Sequence, residues 1–384
     1  MKKVLIVFGT RPEAIKMAPV VMQFQKYQHC FETKICVTSQ HREMLDQVLE
    51  IYSIEPDYDL DVMKSNQDLF GLSGLILLKL RDVLIDFNPD IVLVHGDTTT
   101  SFTASLAAFY KKIPVAHIEA GLRSGNIASP WPEEMNRKLT SVIASFHFAP
   151  SVLARENLLA ENVHPEQIFV TGNTIVDALL MTLEKINSNQ TVQNQIIQEL
   201  DNALQGWSNS ILNSKFILVT GHRRENFGPG LISVCQALKD LASRYPEVNL
   251  VYPVHLNPNV KEPVYSMLND IPNIFLIKPL TYLSFIYLMK HCYFILTDSG
   301  GIQEEAPTFG KPVLIMRDNT ERPEAIRAGT AQLVGTDKNK IREFSGKLIS
   351  DPNYYAAMSQ VVNPYGDGKA AERIVNQLYI RYFS

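Results

Sequence analysis

The chain has 384 residues, of which 46% are hydrophobic and 20% charged, with a formal net charge of −4. That length suits two domains or one large one, and the composition is that of a globular chain able to bury a sizeable core. The mild negative charge excludes a global basic surface for nucleic acid or anionic membrane, and the longest apolar stretches are too short to span a bilayer.

Val4–Phe8 is a continuous apolar run, the pattern of a strand buried on both faces. Because the chain opens on this strand, no signal peptide is expected. The strand ends in Phe8-Gly-Thr-Arg-Pro-Glu-Ala-Ile-Lys16, which is neither the G-x-G-x-x-G nor the G-x-x-x-x-G-K-[ST] phosphate loop. Arg11 in this glycine turn suits a diphosphate as a planar multi-donor cation. The plainer reading is a surface arginine that caps the turn. Further along come a helix over Met17–Gln28, a strand over Lys34–Val37, helices over Gln40–Tyr52 and Leu69–Phe87, and strands over Ile91–Val94 and Val115–Ile118. His95-Gly-Asp-Thr-Thr-Thr100 follows the first of these two strands, and Asp97 there could cap the next helix through its side chain. His117-Ile-Glu-Ala-Gly-Leu-Arg123 ends the other, and Glu119 stands where a strand leaves the core, a costly place for an idle carboxylate. Pro130-Trp-Pro-Glu-Glu-Met-Asn-Arg137 reads as a proline-stiffened helix start; its Glu133 and Glu134 suit proton transfer, or simply complement the helix dipole. Strands over Phe146–Ala149 and Ile168–Val170 close the first series, and Gly172-Asn-Thr174 is the expected crossing.

A second series follows, with strands over Ile217–Thr220, Leu250–Pro253, Ile274–Ile277, Phe294–Leu296 and Val313–Ile315, and a helix over Leu231–Arg244. Thr220-Gly-His-Arg-Arg-Glu-Asn226 and Val254-His-Leu-Asn-Pro258 put His222 and His255 at successive strand ends, with Arg223 beside the first. One such histidine alone is more often structural, whereas two of them with the carboxylates of the first half favour a site. Phe294–Met316 reads as strand, glycine turn, helix over Ile302–Phe309, stop at Gly310, and strand. In Asp298-Ser-Gly-Gly301 the paired glycines are expected to adopt positive φ and to let a ligand approach the backbone. The helix start behind them offers free N–H groups to a phosphate, and Glu304 or Glu305 could accept from ribose hydroxyls. An ordinary turn with a solvated acidic first helical turn fits the same residues. The last helix, Gly368 to Tyr382, follows the breaker Asn363-Pro-Tyr-Gly-Asp-Gly368 and is expected to return to the first domain.

Strict alternation of strands and helices predicts parallel sheets with helices on both faces, here α/β in two doubly wound Rossmann-like domains. The expected domains are 1–171 with the C-terminal helix 366–384, and 172–365. Ligands bind beyond the carboxyl ends of such strands, and two facing edges would make an interdomain cleft. The four cysteines, Cys30, Cys36, Cys235 and Cys292, are scattered, which predicts reduced thiols and a cytoplasmic protein. Without H-E-x-x-H, a Cys–His grouping or a G-x-S-x-G elbow, no cofactor and no metal are expected. Carboxylates and histidines for proton transfer, with arginines and a glycine-lined helix start for phosphates, suit acid–base chemistry on a nucleotide-linked substrate.

Seven motifs, Phe8–Pro19, His95–Thr100, His117–Arg123, Pro130–Glu134, Thr220–Glu225, Pro253–Pro258 and Asp298–Glu305, resemble in order those of the bacterial non-hydrolysing UDP-N-acetylglucosamine 2-epimerases, over Lys2 to about Arg373. The resemblance implies a glycosyltransferase-B-like fold, a homodimer, and interconversion of UDP-GlcNAc and UDP-ManNAc through elimination of UDP and re-addition, supplying ManNAc for bacterial surface polysaccharide. It implies acid–base roles for Asp97, Glu119, Glu133 and His222, and UDP contacts for Arg11, Lys16, Ser299, Gly300, Gly301, Glu305 and Arg322. It further implies a second, activating UDP-GlcNAc site of Gln40, His41, Gln67, Glu134, Arg223 and His255. One departure is Asn66, where an arginine is expected; it bears on activation and leaves the reaction untouched. A retaining UDP-sugar glycosyltransferase of the same fold, a non-catalytic UDP-sugar sensor and a hydrolysing 2-epimerase that releases ManNAc are the competing readings.

Overall fold

In a computed structural model of the chain, residues 1–39, 42–63 and 67–383 are described. The chain divides into two compact units, 1–181 with 365–384, and 182–364. The first unit carries β1 (Lys2–Phe8), β2 (Phe31–Val37), β3 (Tyr58–Asp59), β4 (Ile91–His95), β5 (Val115–Ile118), β6 (Phe146–Ala149) and β7 (Ile168–Val170). They pair in parallel in the order β3-β2-β1-β4-β5-β6-β7. The second unit carries β8 (Phe216–Thr220), β9 (Asn249–Pro253), β10 (Ile274–Ile277), β11 (Phe294–Thr297), β12 (Val313–Ile315) and β13 (Ala331–Leu333), parallel in the order β10-β9-β8-β11-β12-β13. Each unit is therefore doubly wound. The strand order reverses between β1 and β4 in one sheet and between β8 and β11 in the other, the points where such sheets open a crevice at their carboxyl edge.

Burial explains the central strands. Val4 to Phe8 are fully buried, as are Ile217, Leu218 and Val219 of β8 and Phe294 to Leu296 of β11, so their sequences are unbroken apolar runs. The two strands absent from the sequence reading, β3 and β13, are short edge strands. β3 has only Cys36↔Tyr58 and Val37↔Asp59 in register, and β13 pairs on one side with β12. With few buried positions, neither needs an apolar run.

Helices α1 (Arg11–Lys26), α2 (Arg42–Tyr52), α3 (Leu69–Phe87), α4 (Thr99–Tyr110) and α5 (Glu133–Ile143) belong to the first unit. α1 starts at Arg11, well before the periodicity that suggested Met17. Its first turns are buried from Glu13 to Val21, which erases the amphipathic pattern, and a Thr10–Glu13 capping box with Pro12 in the first turn starts it. Arg11 is accordingly the first helical residue rather than part of a glycine turn. Also in this unit, the helix Ala370–Phe383 starts on Asp177, whose carboxylate accepts from Ala370 N (3.2 Å) and Ala371 N (2.9 Å). Tyr27 on the α1 side donates to Asn376 Oδ1 at 2.7 Å.

In the second unit the expected helix over Ile302–Phe309 is an α-helix, Gly300–Glu305, followed by a 3-10 turn, Ala306–Phe309, which ends at Gly310 with φ 62°. Gly300 and Gly301 are thus helical and not at positive φ, a correction to the glycine-turn expectation. All four cysteines are free thiols, with Cys36, Cys235 and Cys292 buried. Among the described residues no helix is long and apolar enough to cross a membrane.

Candidate functional site

In the first unit the polar groups collect at the carboxyl edge beside the β1/β4 reversal. Glu119, the first residue after β5, has φ +64°, a left-handed conformation that costs a side chain with a Cβ about 1–2 kcal/mol. Its nearly buried carboxylate pairs with the Lys16 ammonium and accepts from Asn173 Nδ2 at 2.8 Å, with His95 Nε2 at 3.9 Å. Asp97 pairs with the Arg137 guanidinium, and its peptide carbonyl accepts from Asn136 Nδ2 at 3.0 Å. The helix-capping role expected of Asp97 falls to Thr98, whose hydroxyl accepts from Ser101 N at 3.1 Å. Once Asp97 faces Arg137, its neighbour's hydroxyl is the acceptor left pointing at the helix start.

Glu133 begins α5 and is half-buried, and its Oε2 is buried with no hydrogen-bond partner among the described residues. Glu134 is fully buried; it accepts from Ser124 N at 3.0 Å and pairs with Arg137 Nη1 at 3.2 Å. Behind the edge, His117 donates from Nε2 to the Gly96 carbonyl at 2.7 Å when its proton sits there. Burial pulls His117 down to about 3 and His147 to about 4, so both rings are neutral at ordinary pH.

Glu13, one turn into α1, was not singled out by sequence. It is 2% exposed and accepts five hydrogen bonds, three on Oε2 and two on Oε1. Burial pushes its carboxyl up, against the downward pull of the hydroxyl and amide donors of Thr10, Thr98, Gly9 and Ser101.

In the second unit the polar groups gather at the β8/β11 reversal. Asp298, 1% exposed at the end of β11, accepts from the backbone N–H of His222 (2.9 Å) and Arg223 (2.9 Å) and from Asn226 Nδ2 (3.2 Å). It thereby fixes the turn after β8 and puts His222 Nδ1 3.4 Å from its Oδ1. The His222 ring stacks on His255 at 5.6 Å between centroids. Burial pulls His222 below the ordinary imidazole value, with Arg223 and His255 adding to the fall and Asp298 opposing it.

Ser299 caps the short helix without a side-chain bond, and Gly300 and Gly301 form its first turn, with Glu305 half-buried at its end. Arg322 lies against Gly300: a Cβ there would meet its Nη1 at 2.6 Å and its Cζ at 2.9 Å. The guanidinium is held by Glu304 (Nε to Oε1, 2.8 Å) and by Glu321, so Glu304 is a buried ion-pair partner. Burial would raise Glu321, but Arg322 and Arg317 outweigh it and hold the carboxyl down to about 2. Arg223 Nη2 reaches Glu321 at 4.0 Å.

Of the residues expected in a second site, Arg223, His255 and Glu134 take the positions just given, Gln67 is half-buried ahead of α3, and Gln40, His41 and Asn66 lie outside the described residues. Sequence reading passed over Glu13, Arg137, Asn173, Asp298 and Glu321. Asp298 had a signal: like Asp97 it follows the fourth strand of its unit, counted in chain order. Arg137, one helical turn after Glu133, had another. Asn173 and Glu321 had none. Among the described residues no group of three or more His, Cys, Asp or Glu could hold a metal ion.

The family model described as UDP-N-acetylglucosamine 2-epimerase matches residues 24–379. A Campylobacter jejuni UDP-N-acetylglucosamine 2-epimerase is 55% identical over 378 residues, covering 98% of this chain and 97% of the relative. The crystal structure of the Neisseria meningitidis UDP-GlcNAc 2-epimerase bound to UDP-GlcNAc is 53% identical, with a TM-score of 0.90 over 98% of this chain and 100% of that one. That of the Methanocaldococcus jannaschii UDP-GlcNAc 2-epimerase in complex with UDP-GlcNAc and UDP is 34% identical, with a TM-score of 0.82 over 98% and 99%.

Proposed function

The chain belongs to the UDP-N-acetylglucosamine 2-epimerase family, and from that premise we propose that it interconverts UDP-GlcNAc and UDP-ManNAc by eliminating UDP and adding it back. The observation that carries the reading is Glu119: a buried carboxylate held in a left-handed conformation at a strand end, bonded to Lys16 and Asn173. A strained, charged residue at the reversal edge of the sheet is kept for chemistry and not for stability.

The C2 proton of GlcNAc has no neighbouring carbonyl, so direct abstraction is very unfavourable. Departure of UDP builds positive charge at C1 and acidifies C2–H. The C2–H electrons become the C1=C2 bond of 2-acetamidoglucal, the C1–O electrons leave with the β-phosphate, and the proton passes to a side chain. Return of a proton to the other face of C2 and re-addition of UDP at C1 give the epimer. Two faces need separate proton carriers, a demand that Asp97, Glu119, Glu133 and His222 meet between them. The buried Oε2 of Glu133, without a hydrogen-bond partner among the described residues, and the lowered His222 imidazole support this assignment. Arg11, Lys16 and Arg322, with the amides of the Ser299–Gly301 helix start, are the groups assigned to the leaving diphosphate, and Glu305 is assigned to UDP as an acceptor for its ribose hydroxyls. We also read the protein as a cytoplasmic homodimer, which light scattering tests against a chain mass of 43.3 kDa.

The test uses purified protein, heavy water and, with no acceptor added, UDP-GlcNAc carrying oxygen-18 in the C1–O–P bridge, followed by NMR. UDP-ManNAc carrying deuterium at C2 in heavy water, with oxygen-18 scrambled out of the C1–O–P bridge, is the expected outcome. Free ManNAc would mean a hydrolysing enzyme. No reaction until an acceptor is added would mean a glycosyltransferase, and epimer that keeps its C2 protium and its bridging oxygen-18 would exclude elimination.

A further inference from the structure

We propose that Glu13 is a positioning residue that couples the turn after β1, which starts the helix carrying Arg11 and Lys16, to the turn after β4, which carries Asp97. The proposal rests on the epimerase reading of the same edge. Its two carboxylate oxygens divide the work. Oε2 accepts from Gly9 N at 3.1 Å, Thr10 N at 2.8 Å and Thr10 Oγ1 at 2.8 Å, all in the first turn. Oε1 accepts from Thr98 Oγ1 at 2.8 Å and lies 3.0 Å from Ser101 Oγ, whose one proton is shared with the His95 carbonyl, both hydroxyls standing at the start of α4.

A capping box explains only the first set. It satisfies one helix start, sits at the surface, and needs no partner on another element. Glu13 is instead 2% exposed and takes hydroxyls 85 and 88 residues away in sequence. Burying a carboxylate is costly unless it is fully hydrogen-bonded, so its presence marks a constraint that a neutral cap would not supply.

The two turns approach closely. A Cβ at Gly9 would lie 1.9 Å from Thr38 Oγ1 and 2.6 Å from Thr100 Oγ1. Thr98 follows Asp97 directly, and Lys16 stands one helical turn beyond Glu13, paired with Glu119. A shift of Glu13 therefore moves Asp97 through Thr98, and Lys16 through α1. Proton carrier and diphosphate cation keep their spacing because one carboxylate holds both turns.

Full-length variants test this by steady-state kinetics, UDP calorimetry and hydrogen–deuterium exchange. Ser101→Ala and Thr98→Val cut the Oε1 arm, and each is expected to lower kcat about tenfold with KM and UDP affinity within about twofold of wild type. Thr98→Ser, which keeps the hydroxyl, should recover that loss. Glu13→Gln sets an amide against donors on one arm or the other and should lower kcat by about 10²-fold while weakening UDP. Thr10→Val, on the other arm, should speed amide exchange across 96–101, to which Thr10 is linked through the Glu13 carboxylate. If Glu13→Gln does not fold, the small Ser101→Ala and Thr98→Val changes still decide. The proposal is overturned if those two keep kcat within about twofold of wild type, if Thr98→Ser is as slow as Thr98→Val, or if Thr10→Val leaves 96–101 unchanged. A wild-type chain inactive on UDP-GlcNAc would refute the epimerase reading alone, because the exchange experiment needs no turnover.

Discussion

Replacing Gly300 by alanine sets two effects of known size against each other. An alanine in place of a helical glycine gains about 0.5–1 kcal/mol. At this position, however, the new Cβ would stand 2.6 Å from Arg322 Nη1 and 2.9 Å from Cζ, so the guanidinium must leave. It cannot leave cheaply, because its Nε holds the Glu304 carboxylate at 2.8 Å with side-chain exposures of 13% and 1%. Breaking a buried ion pair costs about 3–5 kcal/mol, so the net loss is roughly 2–4 kcal/mol. For a unit of this size that lowers the melting temperature by roughly 5–15 °C. If Arg322 holds UDP as proposed, displacing it also removes a charge-assisted contact, and the dissociation constant should rise about ten- to a hundredfold. Gly301→Ala is the internal control for stability. It has no heavy atom within 4 Å of its added Cβ, so it should stabilise the protein by about 0.5–1 kcal/mol. Calorimetry with UDP and thermal melts of both variants read the difference. A Gly300→Ala protein as stable as Gly301→Ala, with wild-type affinity for UDP, would refute the role given to the Arg322 contact.

Asp97→Asn, Glu119→Gln, Glu133→Gln and His222→Asn should each lower kcat by about 10²–10⁴-fold, measured as coupled turnover of UDP-GlcNAc. A variant that keeps near-wild-type turnover identifies a structural residue, with Glu133 the choice most open to replacement by its neighbour Glu134. Acid should weaken the first unit through its buried histidines. His117 and His147 are held down to about 3 and about 4 in the folded chain, while the unfolded chain takes up their protons near 6.5. Stability is therefore fully present above about pH 6.5 and is lost as pH falls toward those values, by about 2 kcal/mol per histidine at pH 5. Urea midpoints at pH 8 and pH 5 measure this, and His147→Phe should flatten the slope. Rates across a wide range of UDP-GlcNAc should be sigmoidal, and Asn66→Arg should steepen them. A plain hyperbola unaffected by Asn66→Arg and by His255→Ala would remove the second site.

The central strands and the alternation of strand and helix were legible in the sequence, because strands buried on both faces must be continuous apolar runs. The catalytic candidates Asp97, Glu119 and His222 were legible for a related reason: a charged or polar residue directly after such a run stands at a sheet's carboxyl edge. What each of these residues touches was not legible. Asp97 reads as a helix cap in one dimension, and only the approach of α5 turns it toward Arg137 and leaves the cap to Thr98. Gly300 and Gly301 read as a positive-φ turn, yet their backbone is helical, and Gly300 is constrained by the guanidinium of Arg322, a residue from another part of the chain. Glu13 reads as half of a local capping box. Its second pair of hydrogen bonds comes from β4's turn, brought alongside because β1 and β4 are neighbours in the sheet. Local pattern determined which segments are buried and where they end. Partners 18 to 88 residues apart, such as Arg322–Glu304 and Glu13–Ser101, follow from strand order, which depends on how whole elements pack and leaves no periodic trace in the residues themselves.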